Sequence, residues 1–182
     1  IFVGGDFYDC IEMPDKSIII CVADVSGKGL PAALVGATML SSIRSYAARE
    51  FSPKEILENL NESLQDFLAN ELFATIILGR YYPETGRAVF SAAGHYSPAL
   101  REGGKVSFMD KIPGPPIGVV PGISYAELEY TLQQGSSLIL FSDGVSEARE
   151  PNMAFYGEDR ILSTMEEPDS LPLGPKLLED VE

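Results

Sequence analysis

Two apolar runs in this chain each end in an aspartate followed by small turn-forming residues. Ile18 to Asp24 leads into Val25-Ser26-Gly27, and Leu138 to Asp143 leads into Gly144. A third glycine-flanked acid, Asp6, lies in Gly4-Gly5-Asp6-Phe7-Tyr8-Asp9. A carboxylate at the end of a buried strand is held rigidly, and the small residues after it let carbonyls and water reach the same point. Convergent carboxylates repel one another unless a cation neutralises them. Oxygen donors without a His or Cys cluster suit a hard cation, Mg²⁺ or Mn²⁺, better than zinc. A single strand-end aspartate is more often a turn or helix cap, so the inference rests on the three sites together.

The elements that must position these acids follow from periodicity. Phe7 to Met13 and Ser17 to Asp24 read as a hairpin closed by Pro14-Asp15-Lys16. Leu30-Pro31 opens a helix running to about Glu50, with so little polar face that burial on several sides is expected. Ser52-Pro53-Lys54-Glu55 is a capping box before a second, amphipathic helix. Its stripe is Ile56, Leu57, Leu60, Leu64, Phe67 and Leu68, set against solvated Glu58, Glu62 and Asp66. Strands are predicted over Phe73 to Tyr82, Arg87 to Ala93, Ala99 to Glu102, Lys105 to Met109, Tyr125 to Leu132 and Ser137 to Ser142, with a Pro/Gly-rich loop from Pro113 to Gly122. Short helical pieces follow Asp143. The class is α+β: an antiparallel β-sandwich flanked by helices, in α-β-β-α layers.

A chain of 182 residues, 45% of them hydrophobic, is most simply one domain covering 1–182. A formal charge of −14 argues against nucleic-acid binding, which requires a basic surface. No apolar run approaches a membrane span, and the start carries no leader pattern, which points to the cytoplasm without membrane contact. Cys10 and Cys21 fall in the two strands of the hairpin and read as buried reduced thiols rather than a disulfide. Both ends read as cut: there is no initiator Met, and residues 176–182 read as the start of a helix after Pro175. A domain excised from a longer protein, with regulatory segments N-terminal to it, is expected.

A phosphate-loop reading fails. Gly27-Lys28-Gly29 lacks both the earlier glycine and the following Ser or Thr of a phosphate loop. His95, the only histidine, sits in Ala93-Gly94-His95-Tyr96-Ser97-Pro98. It is read as a structural hydrogen-bonder, with proton donation to a leaving group as its functional alternative. No Ser or Cys near it forms a nucleophile motif.

Gly-Gly-Asp-Phe-Tyr-Asp, Ala-Asp-Val-Ser-Gly-Lys-Gly, Phe73-Ala74-Thr75, Ala93-Gly94-His95, Pro115-Pro116-Ile117-Gly118 and Phe-Ser-Asp-Gly-Val-Ser-Glu-Ala occur in the order seen in bacterial PPM-type metal-dependent serine/threonine phosphatases. The chain most resembles their SpoIIE and sigma-B regulator (RsbU-like) branch. That resemblance implies a β-sandwich holding two Mn²⁺ or Mg²⁺ ions. It also implies hydrolysis, by a metal-bound hydroxide, of phosphoserine or phosphothreonine in a regulatory protein such as an anti-sigma factor antagonist. Carried over residue by residue, it makes Asp24 a bridging ligand, Val25 a carbonyl ligand, Asp6 a ligand directly or through water, and Asp143 a ligand of the other ion. Asp9 receives a supporting or structural role. The family's terminal Asp-Asp-x-Thr motif has no counterpart here, since Asp159, Asp169 and Asp180 lack its context. The alternative reading is therefore a catalytically impaired phosphatase-like module that recognises a phosphoprotein partner.

Overall fold

The computed structural model describes residues 4–68, 72–149 and 155–166. The expected helix over 176–182, Asp169 and Asp180, and the side chains of Asp66, Phe67 and Leu68 lie outside the described residues. The chain divides into two compact units, residues 1–95 with 112–132 and residues 96–111 with 133–182.

The first unit is built on five strands: β1 (Phe7–Glu12), β2 (Ile18–Val25), β3 (Ala74–Tyr82), β4 (Arg87–Ala93) and β7 (Leu128–Thr131). They pair antiparallel in the order β1-β2-β3-β4-β7. The β1–β2 turn is closed by the Met13 amide on the Ser17 carbonyl at 2.8 Å. The buried Arg80 guanidinium ties that turn to β3, donating to Ser17 Oγ and Asp15 Oδ2, both at 2.9 Å. Hydrogen bonds from Ser17, more than the Arg80 charge, hold the Asp15 carboxyl below its ordinary range.

Helices α1 (Leu30–Ala47) and α2 (Pro53–Leu68) cover one face of this sheet. Ile19, Cys21, Ala23 and Val25, alternate residues of β2, share a core with Val35, Met39 and Ile43 of α1 and Ile56, Leu57 and Leu60 of α2. The intervening residues of β2, Asp24 among them, therefore point to the opposite face. The capping box of α2 forms as expected: Glu55 Oε2 accepts from the Ser52 amide at 2.8 Å and Ser52 Oγ from the Glu55 amide at 3.3 Å.

Several expectations need correction. Helix α1 is buried on one face only, through Ala32, Val35, Gly36, Met39, Ile43 and Ala47, while Leu30 and Leu34 are 66% and 59% exposed. An apolar composition permits burial all round but does not supply a partner for every side. Glu58 is not simply solvated, because its Oε1 accepts from Ser124 Oγ at 2.8 Å and from the Tyr125 amide at 3.2 Å. Those bonds, with the Lys54 amide donating to Glu127 at 2.9 Å, take residues 125–127 out of the ladder and shorten the expected strand to β7.

Cys10 is another. The register sets Cys10 against Ile20 and Cys21 against Asp9, with Cys10 exposed and Cys21 buried, both free. Burial, more than the neighbouring Asp9, pushes the Cys21 thiol up to about 12. One thiol per chain is expected to react with Ellman's reagent at pH 8 in the native protein and two after denaturation; two fast-reacting native thiols would contradict this packing.

The second unit carries β5 (Ala99–Glu102), β6 (Lys105–Phe108) and β8 (Ser137–Ile139) in the order β6-β5-β8, with helices α3 (Asp143–Ser146) and α4 (Glu158–Glu166). Ala99, Phe141, Tyr156, Ile161 and Met165 form its core. The strand expected over Ser137 to Ser142 is shorter, ending at Ile139, and Ser142 at φ −95° and ψ 175° precedes α3.

Candidate metal centre

Asp24 and Val25 are the last two residues of β2, opposite Thr75 and Ala74 of β3. Directly beyond them the ladder gives way to side-chain closure. The Ser26 amide donates to the Phe73 carbonyl and the Phe73 amide to Ser26 Oγ, each at 2.8 Å. Gly27 at φ 88° and Gly29 at φ 77° then turn the chain into α1, conformations that a side chain would strain. The sequence Asp-Val-Ser-Gly-Lys-Gly is thus a strand end, a lock and a turn.

The β1–β2 register ends at Phe7 against Ala23, and extending that pairing by one residue, beyond the strand itself, sets Asp6 opposite Asp24. What permits the approach is Gly5. A Cβ there would lie 2.5 Å from the Val25 carbonyl oxygen and 2.8 Å from Val25 Cβ, so the backbone beside Asp6 rests directly on Val25. Asp6, Asp24 and Thr75 consequently form a row across one face of the sheet. Thr75 Oγ1 extends it to His95, lying 2.9 Å from Nδ1. That contact agrees with His95 as a hydrogen-bonding residue and fixes the ring at the end of the row. Thr75 was given no role of its own by the sequence, although it ends the Phe73-Ala74-Thr75 motif and stands as a polar residue within the apolar run Ala74 to Leu78.

Asp9 falls on the other face of β1. Its Oδ1 accepts from Arg44 of α1 at 2.7 Å and from the Cys10 amide at 2.9 Å, while Oδ2 is buried without a partner. It ties the hairpin to α1, away from the row. Asp143 belongs to the second unit, where it is the first residue of α3; its carbonyl accepts from the Glu147 amide at 2.7 Å.

Among the described residues no three His, Cys, Asp or Glu side chains gather into a ready-made metal cage. The row offers instead two carboxylates and a main-chain carbonyl. Mg²⁺ prefers such a set, since it keeps several waters and takes one or two carboxylates rather than a full protein cage. The donors brought together in the first unit therefore fit a hard divalent ion in number and kind.

Known proteins carry the same arrangement of elements. The phosphoserine phosphatase RsbU of Bacillus subtilis is 29% identical over 151 residues, covering 82% of this chain and 45% of that protein. The PP2C phosphatase domain of the cell-fate determinant SpoIIE from Bacillus subtilis superposes with a TM-score of 0.84 at 20% identity, covering 98% of this chain and 53% of the other. RsbX, crystallised in complex with magnesium, superposes with a TM-score of 0.72 at 21% identity, covering 98% and 79%. The chain thus has the fold of these phosphatases and spans less than half the length of RsbU. With the family model for Stage II sporulation protein E matching residues 14–181, the chain belongs to the SpoIIE family.

Proposed function

We propose that the chain is a metal-dependent protein phosphatase domain that hydrolyses phosphoserine or phosphothreonine in a regulatory protein, an anti-sigma factor antagonist being the expected kind. The observation that carries this reading is the row Asp6, Asp24, Thr75 and His95, with Gly5 set against the Val25 carbonyl. Support also comes from family membership and from the printed activity of RsbU. The reading places the reaction in the cytoplasm under the control of an attached domain or a partner protein.

In this mechanism Asp24, the Val25 carbonyl and Asp6 would hold Mn²⁺ or Mg²⁺, and Asp143 would serve a second ion. Bound divalent ions supply a water of lowered pKa and neutralise charge on the transferring phosphoryl oxygens. The protein's own contribution is positional. Asp24 enters from the end of a strand paired on both sides, so its position is set before substrate arrives. Asp6 is brought opposite by a glycine that admits no side chain. Thr75 holds one ring nitrogen of His95, which fixes the direction in which the other can exchange a proton with the departing hydroxyl.

The test is phosphate release from p-nitrophenyl phosphate by the full-length protein, with Mn²⁺ or Mg²⁺ and with chelator. Turnover that needs the metal and stops with chelator is the expected result. Metal-independent turnover, or none under any condition, would overturn the assignment, the second outcome favouring a phosphoprotein-binding module.

A further inference from the structure

The last pairs of the β2–β3 ladder decide where the Val25 carbonyl points. Opposed residues of an antiparallel pair alternate between exchanging both backbone hydrogen bonds and exchanging none. Ala74, opposite Val25, exchanges its bonds with Ile117 instead, its amide donating at 3.1 Å and its carbonyl accepting at 2.8 Å. Val25 and Ala74 are therefore a pair without mutual hydrogen bonds, and the Val25 carbonyl faces away from β3. It faces Gly5, where a Cβ would lie 2.5 Å from its oxygen.

The next pair, Ser26 and Phe73, is the kind that exchanges both bonds. Half of the exchange forms, the Ser26 amide donating to the Phe73 carbonyl at 2.8 Å. In the other half the Phe73 amide donates to Ser26 Oγ, also at 2.8 Å, so the hydroxyl stands in for the carbonyl of its own residue. The chain can then leave the sheet at once, through Gly27 at φ 88°, without stranding the Phe73 donor. A continued ladder would satisfy Phe73 too, but it would carry the chain past the candidate centre in extended form.

Both bonds bear on Val25. The peptide joining Val25 to Ser26 is planar and trans, so its N–H and C=O point in opposite directions. Holding the Ser26 N–H on Phe73 therefore turns the Val25 C=O toward Gly5 and the Asp6 end of β1. The Ser26 hydroxyl keeps Phe73 in place to accept that N–H.

We propose that Ser26 is a positioning residue of the candidate metal centre, its amide and hydroxyl together gripping Phe73 so that the Val25 carbonyl is aimed at the ion. This deepens the phosphatase reading above and rests on it. Serine hydroxyls bond nearby backbone in many turns for purely structural reasons, so the experiment separates aim from stability.

Mn²⁺ is titrated calorimetrically into the metal-free full-length protein and its variants, and melting is followed without metal. Ser26→Ala, which takes the acceptor from the Phe73 amide, is expected to weaken Mn²⁺ binding by about tenfold or more, the range for partners that orient a metal ligand. Ser26→Thr keeps the hydroxyl and is expected to bind as wild type does. Ser17→Ala is the control for stability. Ser17 stands just before the other end of β2, where its buried hydroxyl accepts from Arg80 Nε at 2.9 Å and donates to Asp15 Oδ1 at 2.6 Å. This variant is expected to melt lower and to keep its Mn²⁺ affinity. Wild-type affinity in Ser26→Ala overturns the inference alone, as does an equal loss in Ser26→Thr or in Ser17→Ala. Should Ser26→Ala not fold, Ser26→Cys, with a weakly accepting sulfur, takes its place under the same expectation. A wild type that binds no Mn²⁺ removes the centre on which the phosphatase reading stands, and this inference with it.

Discussion

Asp24→Asn in the full-length protein is expected to lower Mn²⁺-dependent turnover by more than about a hundredfold while the fold survives. Groups one step removed from a metal typically cost about 10- to 100-fold when changed, so a direct ligand should exceed that range. Asn keeps the shape of the side chain and one neutral oxygen; what it loses is the charge. The same substitution has an opposite effect on the metal-free fold. Asp6 faces Asp24 across the hairpin, and like charges directly opposite on a sheet destabilise it by roughly 0.2–1 kcal/mol. Without added metal, Asp24→Asn is therefore expected to melt at the wild-type temperature or slightly above it. With Mn²⁺ the wild type should gain stability by mass action and the variant should gain much less. Melting curves with and without Mn²⁺, beside phosphate release, read out both halves. Full turnover in the variant, or an equal Mn²⁺ shift in both proteins, would remove Asp24 from the metal site. Asp143→Asn is expected to lose activity as well, with no such gain foreseen in the metal-free melt.

Features set by local chemistry were legible in the sequence, and those set by partners distant in the chain were not. Strands β4 and β5 run over the expected residues because turn-forming residues bound them locally. The capping box needs only Ser52 and Glu55. Asp24 at a strand end before Ser-Gly is equally local. The exposure of Leu30 and Leu34 depends instead on what lies over α1, which no periodicity encodes. Asn61 and Glu58 look like ordinary polar positions on an amphipathic helix until the loop after Gly118 is folded against them. The opposition of Asp6 and Asp24 was visible only as two motifs pointing to the same chemistry. The register, and the missing Cβ of Gly5, turn it into geometry.

Gly5→Ala should convert that geometry into a measurable loss. The added methyl would meet Val25 at three atoms, its carbonyl oxygen at 2.5 Å, Cβ at 2.8 Å and amide nitrogen at 3.1 Å. Two of these are backbone atoms of a strand already paired on both sides, so they cannot swing away as a side-chain tip would. Retreat of Gly5 is blocked on the helix side as well. Its carbonyl already lies 3.2 Å from where a Cβ of Gly36 would stand, which shows how closely α1 rests on it. Overpacking of this kind typically costs about 1–3 kcal/mol, part of it in stability and part in moving Asp6 out of line with Asp24. If about half of the upper figure falls on ion binding, Mn²⁺ affinity drops roughly tenfold, since ~1.4 kcal/mol is a factor of ten. Gly4→Ala is the control, because the nearest atom to a Cβ there is 3.9 Å away. Calorimetric titration with Mn²⁺ on both variants should separate them clearly. Equal Mn²⁺ affinity in Gly5→Ala and Gly4→Ala, with both folded, would mean that the close approach to Val25 does not set the position of Asp6, and the row would lose its first member.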